Sequence, residues 1–275
     1  MFFTSSEDKV TLNGTQAFLS VVIPAYNEES RLPATLAELQ KIITKISVEI
    51  IVVCDGCTDG TISILNRWMD ILPLKIISYS KNKGKGYAVR QGVLAASGEI
   101  IAFMDADGST PPSELLRLIK PIKDGKADMV IGSRRAEGAH VKKQPPGRHL
   151  LGKLFSLFTK SILSLPYKDT QCGFKLFDRA IAKKLFSRAS YDGFEFDLDI
   201  LYMAHADGLR VIEAGVEWND CSGSKVDTIR DGLSMLQAVI NIRLRHILGI
   251  AKTKIDVKSV AEEIVDVDIM SNSFR

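Results

Sequence analysis

What the chain lacks narrows its class first. No uninterrupted apolar run reaches the roughly 18 residues that a membrane-crossing helix needs. The opening MFFTSSEDKV has no basic segment followed by an apolar one of signal-peptide length. The expected location is therefore the cytoplasm. Cysteine is scarce: Cys54, Cys57, Cys172 and Cys221 form no dense disulfide framework and read as reduced thiols. A dominant charge sign is missing too, because 36 Lys plus Arg against 33 Asp plus Glu leave a net +3, too little to point to nucleic acid. Internal repeats and low-complexity linkers are absent. With 45% hydrophobic residues in 275, the chain has enough apolar side chain to bury a substantial core.

What is present is a rhythm. Short β-branched runs (FLSVVIPA, VEIIVVCD, KIISYS, EIIAFMDAD, ADMVIGS) alternate with segments of helical period (EESRLPATLAELQKIITKI, TISILNRWMDIL, GYAVRQGVLAAS, PSELLRLIKPI). Runs apolar on both faces predict strands of a buried sheet, and the periodic segments predict its covering helices. The fold class is therefore α/β, a doubly wound, mostly parallel sheet with flanking helices. After Gly132 come a basic, Pro-containing loop from Arg134 to Arg148, a helix-like LGKLFSLFTKSILSL and a short strand GFKLF. The helix FDLDILYMAHADG, RVIEAGVEW and a long amphipathic segment, TIRDGLSMLQAVINIRLRHILGI, follow. From about Lys252 the chain turns polar and acidic and reads as a loosely attached tail.

In such a sheet ligands bind outside the carboxyl ends of the strands. The runs end in Pro24-Ala25-Tyr26-Asn27-Glu28, Cys54-Asp55-Gly56 and Asp105-Ala106-Asp107-Gly108, and the third leads into Lys81-Asn82-Lys83-Gly84-Lys85-Gly86. Asp105 and Asp107, two residues apart in extended chain, project to one side and suit a hard divalent cation, Mg²⁺ or Mn²⁺, shared with substrate phosphates. The structural alternative is a helix start capped by Ser109 or Thr110 with Pro111 or Pro112. Lys83, Gly84 and Lys85, just ahead of a helix, can face a phosphate, or simply form a solvated basic turn. Asp55 can accept from a nucleobase or ribose, or cap the next helix at Thr58 or Asp59. Cys54 and Cys57 also fit a C-x-x-C thiol redox motif, the reading from another class; the structural alternative for Cys54 is a small core residue.

Taken together the segments VVIPAYNEE, VCDGCTDGT, NKGKGYAVRQG and MDADGSTPP resemble, in order, the blocks of glycosyltransferase family 2, whose fold is GT-A. GSRR, DTQCGFKLF, FDLDILY and WNDCSGSKV resemble its dolichyl-phosphate glucosyltransferase branch, with polyprenyl-phosphate mannosyltransferases more distant. The likeness runs over roughly positions 18 to 250. It implies one GT-A domain over 1–251, with a nucleotide-sugar half at about 18–134 and an acceptor half at about 135–251, then a tail over 252–275. It implies a donor site lined by Pro24, Ala25, Tyr26, Glu28, Asp55, Lys83, Gly84, Lys85, Asp105 and Ala106, with Asp55 matching a uracil-contacting Asp and Asp105 and Asp107 a metal-binding pair. Cys54 stands where the family carries a first Asp, and Cys57 where Ser is usual.

The resemblance further implies an inverting transfer of a hexose, glucose by the second-half motifs, from a nucleotide sugar such as UDP-glucose to a dolichyl or polyprenyl phosphate. A lipid phosphate, with a second pKa of about 6, is mostly ionised at neutral pH and needs little deprotonation. Arg134, Arg148 and Lys175 are the expected acceptor-phosphate residues, with Arg135 left to solvent. Asp197 and Asp169 are the carboxylates expected to orient the acceptor or act as base, although each also reads as a cap or turn residue. Apolar faces mixed with Lys, Arg and His in LGKLFSLFTKSILSL and LQAVINIRLRHILGI are compatible with lying on a membrane surface, or with buried helices whose cations snorkel. The competing enzyme reading keeps the donor and takes a soluble or protein-linked hydroxyl acceptor.

Overall fold

The computed structural model describes residues 17–142, 159, 161–221, 230–247 and 268–271. The first half of the chain forms β1 (Leu19–Ala25), α1 (Leu32–Ile43), β2 (Val48–Asp55), α2 (Thr61–Trp68), β3 (Leu74–Tyr79), α3 (Lys85–Ala95), β4 (Ile100–Met104) and β5 (Met129–Ser133). Between β4 and β5 the expected helix PSELLRLIKPI breaks into a 3-10 turn, Pro112–Glu114, and two single turns, α4 (Leu115–Leu118) and α5 (Lys120–Lys123). Pro121 has no backbone N–H to continue an α-helical ladder.

The second half adds β6 (His140–Lys142), β7 (Phe174–Asp178), α6 (Arg179–Phe186), α7 (Phe196–Ala206), β8 (Val211–Gly215), β9 (Glu217–Asn219), α8 (Arg230–Ile247) and β10 (Asp268–Ser271). Among the described residues eight strands make one sheet in the order β10-β3-β2-β1-β4-β7-β5-β8. Only β7, against β4 and β5, and β10, against β3, run antiparallel. RVIEAGVEW splits at Val216: β8 extends the large sheet, whereas β9 pairs in parallel with β6 in a separate two-stranded sheet. β10 lies within the stretch read as a polar tail, and adds an edge strand to β3.

The two-sided apolar character of the strands has the consequence expected of it. Leu19, Val21 and Ile23 of β1 pack with Ile50 and Val52 of β2 under α1, whose Leu32, Leu36, Leu39 and Ile42 repeat at helical spacing. Val22, Ile51 and Val53 point the other way, onto Ala88, Val89 and Val93 of α3 and onto α6, α7 and α8. Helices on both faces leave only the strand ends open for chemistry. Because β7 is reversed, its first residues and the DTQCG segment before it arrive at the edge where β1, β2, β4 and β5 finish. No helix among the described residues is long and apolar enough to cross a membrane.

Candidate active site

The open sheet edge is built around Asp55, which ends β2 and is buried. Its two carboxylate oxygens accept from the backbone N–H groups of Lys83 (2.7 Å) and Gly84 (2.9 Å), and the Asn82 amide donates to its carbonyl (3.2 Å). Asp55 thus fixes the basic turn that opens α3 and does not cap its own downstream helix. Gly84 has φ +103, and a Cβ there would lie 2.4 Å from the Asp192 carbonyl oxygen, so the turn tolerates no side chain at that position. The loop ahead of α2 is held instead by Asn27 and Asp59. Asn27, at φ 55, accepts from the backbone N–H groups of Thr58 (2.8 Å) and Asp59 (3.3 Å), and Asp59 accepts from that of Thr61 (3.0 Å). The signal was there in part, since Asn is among the few residues that adopt a left-handed conformation readily.

Around this frame, Tyr26 is 39% exposed at the end of β1, Pro24 is half-buried and Ala25 is buried. The Glu28 carboxylate accepts from Arg31 Nε (2.7 Å), and the Glu28 backbone donates to Thr61 Oγ1 (2.8 Å). The buried Ala106 anchors the loop after β4 through its carbonyl, which accepts from Thr35 Oγ1 (2.8 Å). The Lys83 ammonium donates to the Tyr87 hydroxyl (3.1 Å) and lies 4.6 Å from the centre of that ring.

Asp105 and Asp107 follow β4. The Asp105 backbone donates to the Gly173 carbonyl (3.1 Å), and its carboxylate lies directly over Gly173, where a Cβ would come within 2.1 Å of Asp105 Oδ2. A glycine in the QCGF segment is therefore what lets this carboxylate occupy the sheet edge. Asp107 Oδ1 accepts from the Ser109 backbone (2.9 Å), while Oδ2 faces Arg31 at 3.8 Å. Asp107 thus closes a turn of its own, and neither Ser109 nor Thr110 caps a helix here. The 3-10 turn beyond it has Pro111 at its N-cap and no side-chain cap. Among the described residues no cluster of three His, Cys, Asp or Glu could hold a metal. Two carboxylates with the remaining positions left to water and phosphate is a donor set that fits Mg²⁺ or Mn²⁺.

Beside the pair lies a buried charge network. Lys85, the first residue of α3, holds Asp105 Oδ1 at 2.5 Å. Asp197, at the start of α7 and 4% exposed, accepts from Lys175 Nζ (2.6 Å), which also donates to the Cys172 carbonyl (2.7 Å). Burial pushes the Asp197 carboxyl above its ordinary range, with Lys175 and Lys85 pulling against that rise and Asp105 adding to it. Lys175 is 0% exposed, with its ammonium 5.4 Å from the centre of the Phe103 ring. This corrects its expected role as a phosphate ligand: its cation is spent inside the protein and reaches the site only through Asp197.

Farther along the edge Asp169 takes Arg134 in a bidentate grip (Nε–Oδ2 2.7 Å, Nη2–Oδ1 2.8 Å) and also accepts from the Arg134 backbone (2.9 Å). Arg134 lies 5.6 Å from the centre of the Trp218 ring, and Glu213 accepts from the backbones of Lys168 and Asp169. Burial alone would raise the Asp169 carboxyl, but the guanidinium holds it down at about 2. Arg135 stays at the rim, donating to the Lys168 carbonyl (3.3 Å). Arg148, and most of LGKLFSLFTKSILSL, lie outside the described residues.

A depressed native pKa stabilises the fold above the unfolded value and loses that effect as pH falls through the native one. Asp169 is thus expected to contribute about 2 kcal/mol near neutrality, a term that fades from about pH 4 to pH 2. Urea unfolding of wild type and Asp169→Asn at pH 7 and pH 2 checks it. An equal stability difference between the two proteins at pH 7 and pH 2 would contradict it.

Cys54, on β2 opposite Ala25 of β1, lies in the core, and Cys57 Sγ sits 3.3 Å from the Ala25 carbonyl oxygen. Their mutual hydrogen bond raises the Cys54 thiol, with burial adding to it, and lowers that of Cys57. All four cysteines are free, and Cys54 packs as the small core residue considered above.

The family model described as Glycosyl transferase family 2 matches residues 20–186. Dolichyl-phosphate beta-glucosyltransferase of Dictyostelium discoideum is 33% identical over 252 residues, covering 86% of this chain and 77% of that protein. The Homo sapiens protein of the same name is 33% identical, with 84% and 76% covered, and that of Saccharomyces cerevisiae 34%, with 86% and 77%. Among solved structures, glucosyl-3-phosphoglycerate synthase of Mycobacterium tuberculosis, in complex with Mn²⁺, UDP and glucosyl-3-phosphoglycerate, superimposes with a TM-score of 0.60 at 21% identity. It covers 86% of this chain and 82% of its own. Mannosyl-3-phosphoglycerate synthase of Rubrobacter xylanophilus gives 0.60 at 19% identity, with 86% and 76% covered. The sheet and its flanking helices are those of the GT-A fold.

Proposed function

Because this chain belongs to glycosyltransferase family 2, we propose that it transfers glucose from UDP-glucose to dolichyl phosphate with inversion at the anomeric carbon. The observation that carries this reading is the line of charges along one sheet edge. Asp105 and Asp107 stand after β4, Arg134 clamped by Asp169 stands after β5, and buried Asp197 lies beside Lys85. The names of the curated relatives support the lipid-phosphate acceptor, and the UDP and Mn²⁺ held by a protein of the same fold support the donor.

In this reading residues 18–134 form the donor half of the domain and 135–251 the acceptor half. Asp105 and Asp107 hold Mg²⁺ or Mn²⁺, which when bound supplies positive charge to the departing diphosphate. Lys83, Gly84 and Lys85, on the turn that Asp55 fixes, face the same diphosphate, and Tyr26 and Glu28 line its nucleoside end. The Arg134 guanidinium, oriented by Asp169 and Trp218, takes the acceptor phosphate. A phosphate oxygen attacks the anomeric carbon, the bond from that carbon to the UDP oxygen breaks, and UDP leaves. An ionised phosphate needs no strong base, so Asp197 serves mainly to orient the reacting groups and balance their charge. Asp169, its oxygens occupied by Arg134, is a positioning residue. Ile240 and Leu244, exposed one turn apart on α8 with Arg243 and Arg245 nearby, support approach to a membrane surface.

The test is a matrix of purified protein with Mg²⁺, three donors (UDP-glucose, UDP-N-acetylglucosamine and GDP-mannose) and two acceptors (a polyprenyl phosphate and a water-soluble alcohol). The expected product is a glucosyl phospholipid formed from UDP-glucose alone. Transfer confined to the alcohol would establish the hydroxyl-acceptor reading in its place.

A further inference from the structure

The ion pair between Lys85 and Asp105 does more than a surface salt bridge would, because its two members differ in freedom. Asp105 cannot retreat: its backbone is bonded to the Gly173 carbonyl, and its carboxylate fills the space over Gly173 that a Cβ would need. Lys85 can move. Its backbone position at the head of α3 is set by the turn that Asp55 holds, while its ammonium rides on four rotatable bonds. The ammonium also lies 5.8 Å from the centre of the Phe194 ring.

We propose that Lys85 is a displaceable counter-ion: it neutralises Asp105 in the free enzyme and passes to the donor's diphosphate when a divalent cation takes that carboxylate, so that metal and nucleotide bind as a coupled pair. The inference rests on the reading of Asp105 and Asp107 as metal ligands and goes beyond it to the order and coupling of binding.

Charge balance is the reason. Glu28 and Asp107 face Arg31, Asp105 faces Lys85, and Asp197 faces Lys175. Four carboxylates against three cations leave this group one charge short of neutral, a weak attractor for a divalent ion. A dication on Asp105 would also stand next to the Lys85 ammonium, and like charges a few ångströms apart repel even where water screens them in part. A diphosphate resolves both difficulties, since it ligates the metal and offers the ammonium a new anion. The coupling is reciprocal: whatever factor UDP adds to metal affinity, the metal adds to UDP affinity.

Mn²⁺ binding to the full chain, followed by the EPR signal of free Mn²⁺ and by calorimetry, tests this with the metal alone and with UDP present. Wild type is expected to bind Mn²⁺ weakly alone and roughly tenfold or more tightly with UDP. Lys85→Met, which keeps the length of the side chain and removes its charge, is expected to bind Mn²⁺ alone roughly tenfold more tightly than wild type and to show a correspondingly smaller UDP effect. Lys85→Gln gives a second neutral variant should the first fold poorly, and Lys85→Arg should behave as wild type. Neutral variants that bind Mn²⁺ alone no more tightly than wild type, with the UDP effect intact, overturn the counter-ion role while leaving the metal site standing. Failure of wild type to bind Mn²⁺ even with UDP removes the metal-site reading, and the inference with it.

Discussion

Asp105→Asn is expected to lower glucose transfer by roughly a thousandfold or more and to abolish UDP-dependent Mn²⁺ binding, while the protein stays folded. The amide keeps the shape that fits over Gly173 but gives up the charge that a divalent ion and the Lys85 ammonium both need. Stability should change little, because the Asp105 side chain is 35% exposed and its ion pair with Lys85 is therefore screened. Circular dichroism and urea unfolding separate the two effects. Turnover within about tenfold of wild type would mean that Asp105 does not carry the chemistry assigned to it, however well placed it is.

Lys175→Met is expected to act in the opposite way, on the fold first. Lys175 and Asp197 form a buried pair with no water-facing edge, and removing one partner of such a pair costs about 3–5 kcal/mol because the other is left uncompensated. The stranded Asp197 will take up a proton more readily than in wild type, where burial already holds its pKa high. A carboxyl whose native pKa exceeds its unfolded one binds more protons folded than unfolded, so stability falls as pH rises between the two values. Urea unfolding at pH 5 and pH 8 should therefore show the larger loss at pH 8. The pair Lys175→Met with Asp197→Leu should recover most of the stability, since apolar replacement of a buried ion pair is often neutral or better. Sugar transfer should stay lost. A Lys175→Met protein as stable as wild type at both pH values would remove the buried-pair account, and transfer retained by the double variant would remove Asp197 from the site.

The division between these two lysines shows how far residue type and spacing reach. Both stand in motif segments, and both looked like phosphate ligands. Lys85 lies at the open sheet edge beside Asp105, whereas Lys175 sits on β7 with its side chain in the core. Its neighbours Phe174 and Leu176 are also buried. A strand buried on both faces has no polar alternation to mark which side a charge will take. Only the position of α7, which brings Asp197 to that spot, makes a buried lysine tolerable there.

Much of the architecture followed from the sequence by itself. Apolar runs of strand length between helical periods specify a two-sided sheet, and such a sheet exposes only its strand ends, so Asp55, Asp105, Asp107 and the Lys83–Lys85 turn could be placed on one edge. Periodicity is local, and the burial it encodes is local with it. What tertiary structure alone decided is which charge meets which. Asp55 grips a turn 28 residues away, Asp169 clamps Arg134 across 35, Lys175 finds Asp197 across 22, and Gly173 makes room for Asp105. The strength of an ion pair depends on separation in space and on the water excluded around it, neither of which sequence distance records. The same carboxylates that read alike along the chain thus become, once folded, a turn anchor, an arginine clamp, a buried counter-charge and a candidate metal ligand.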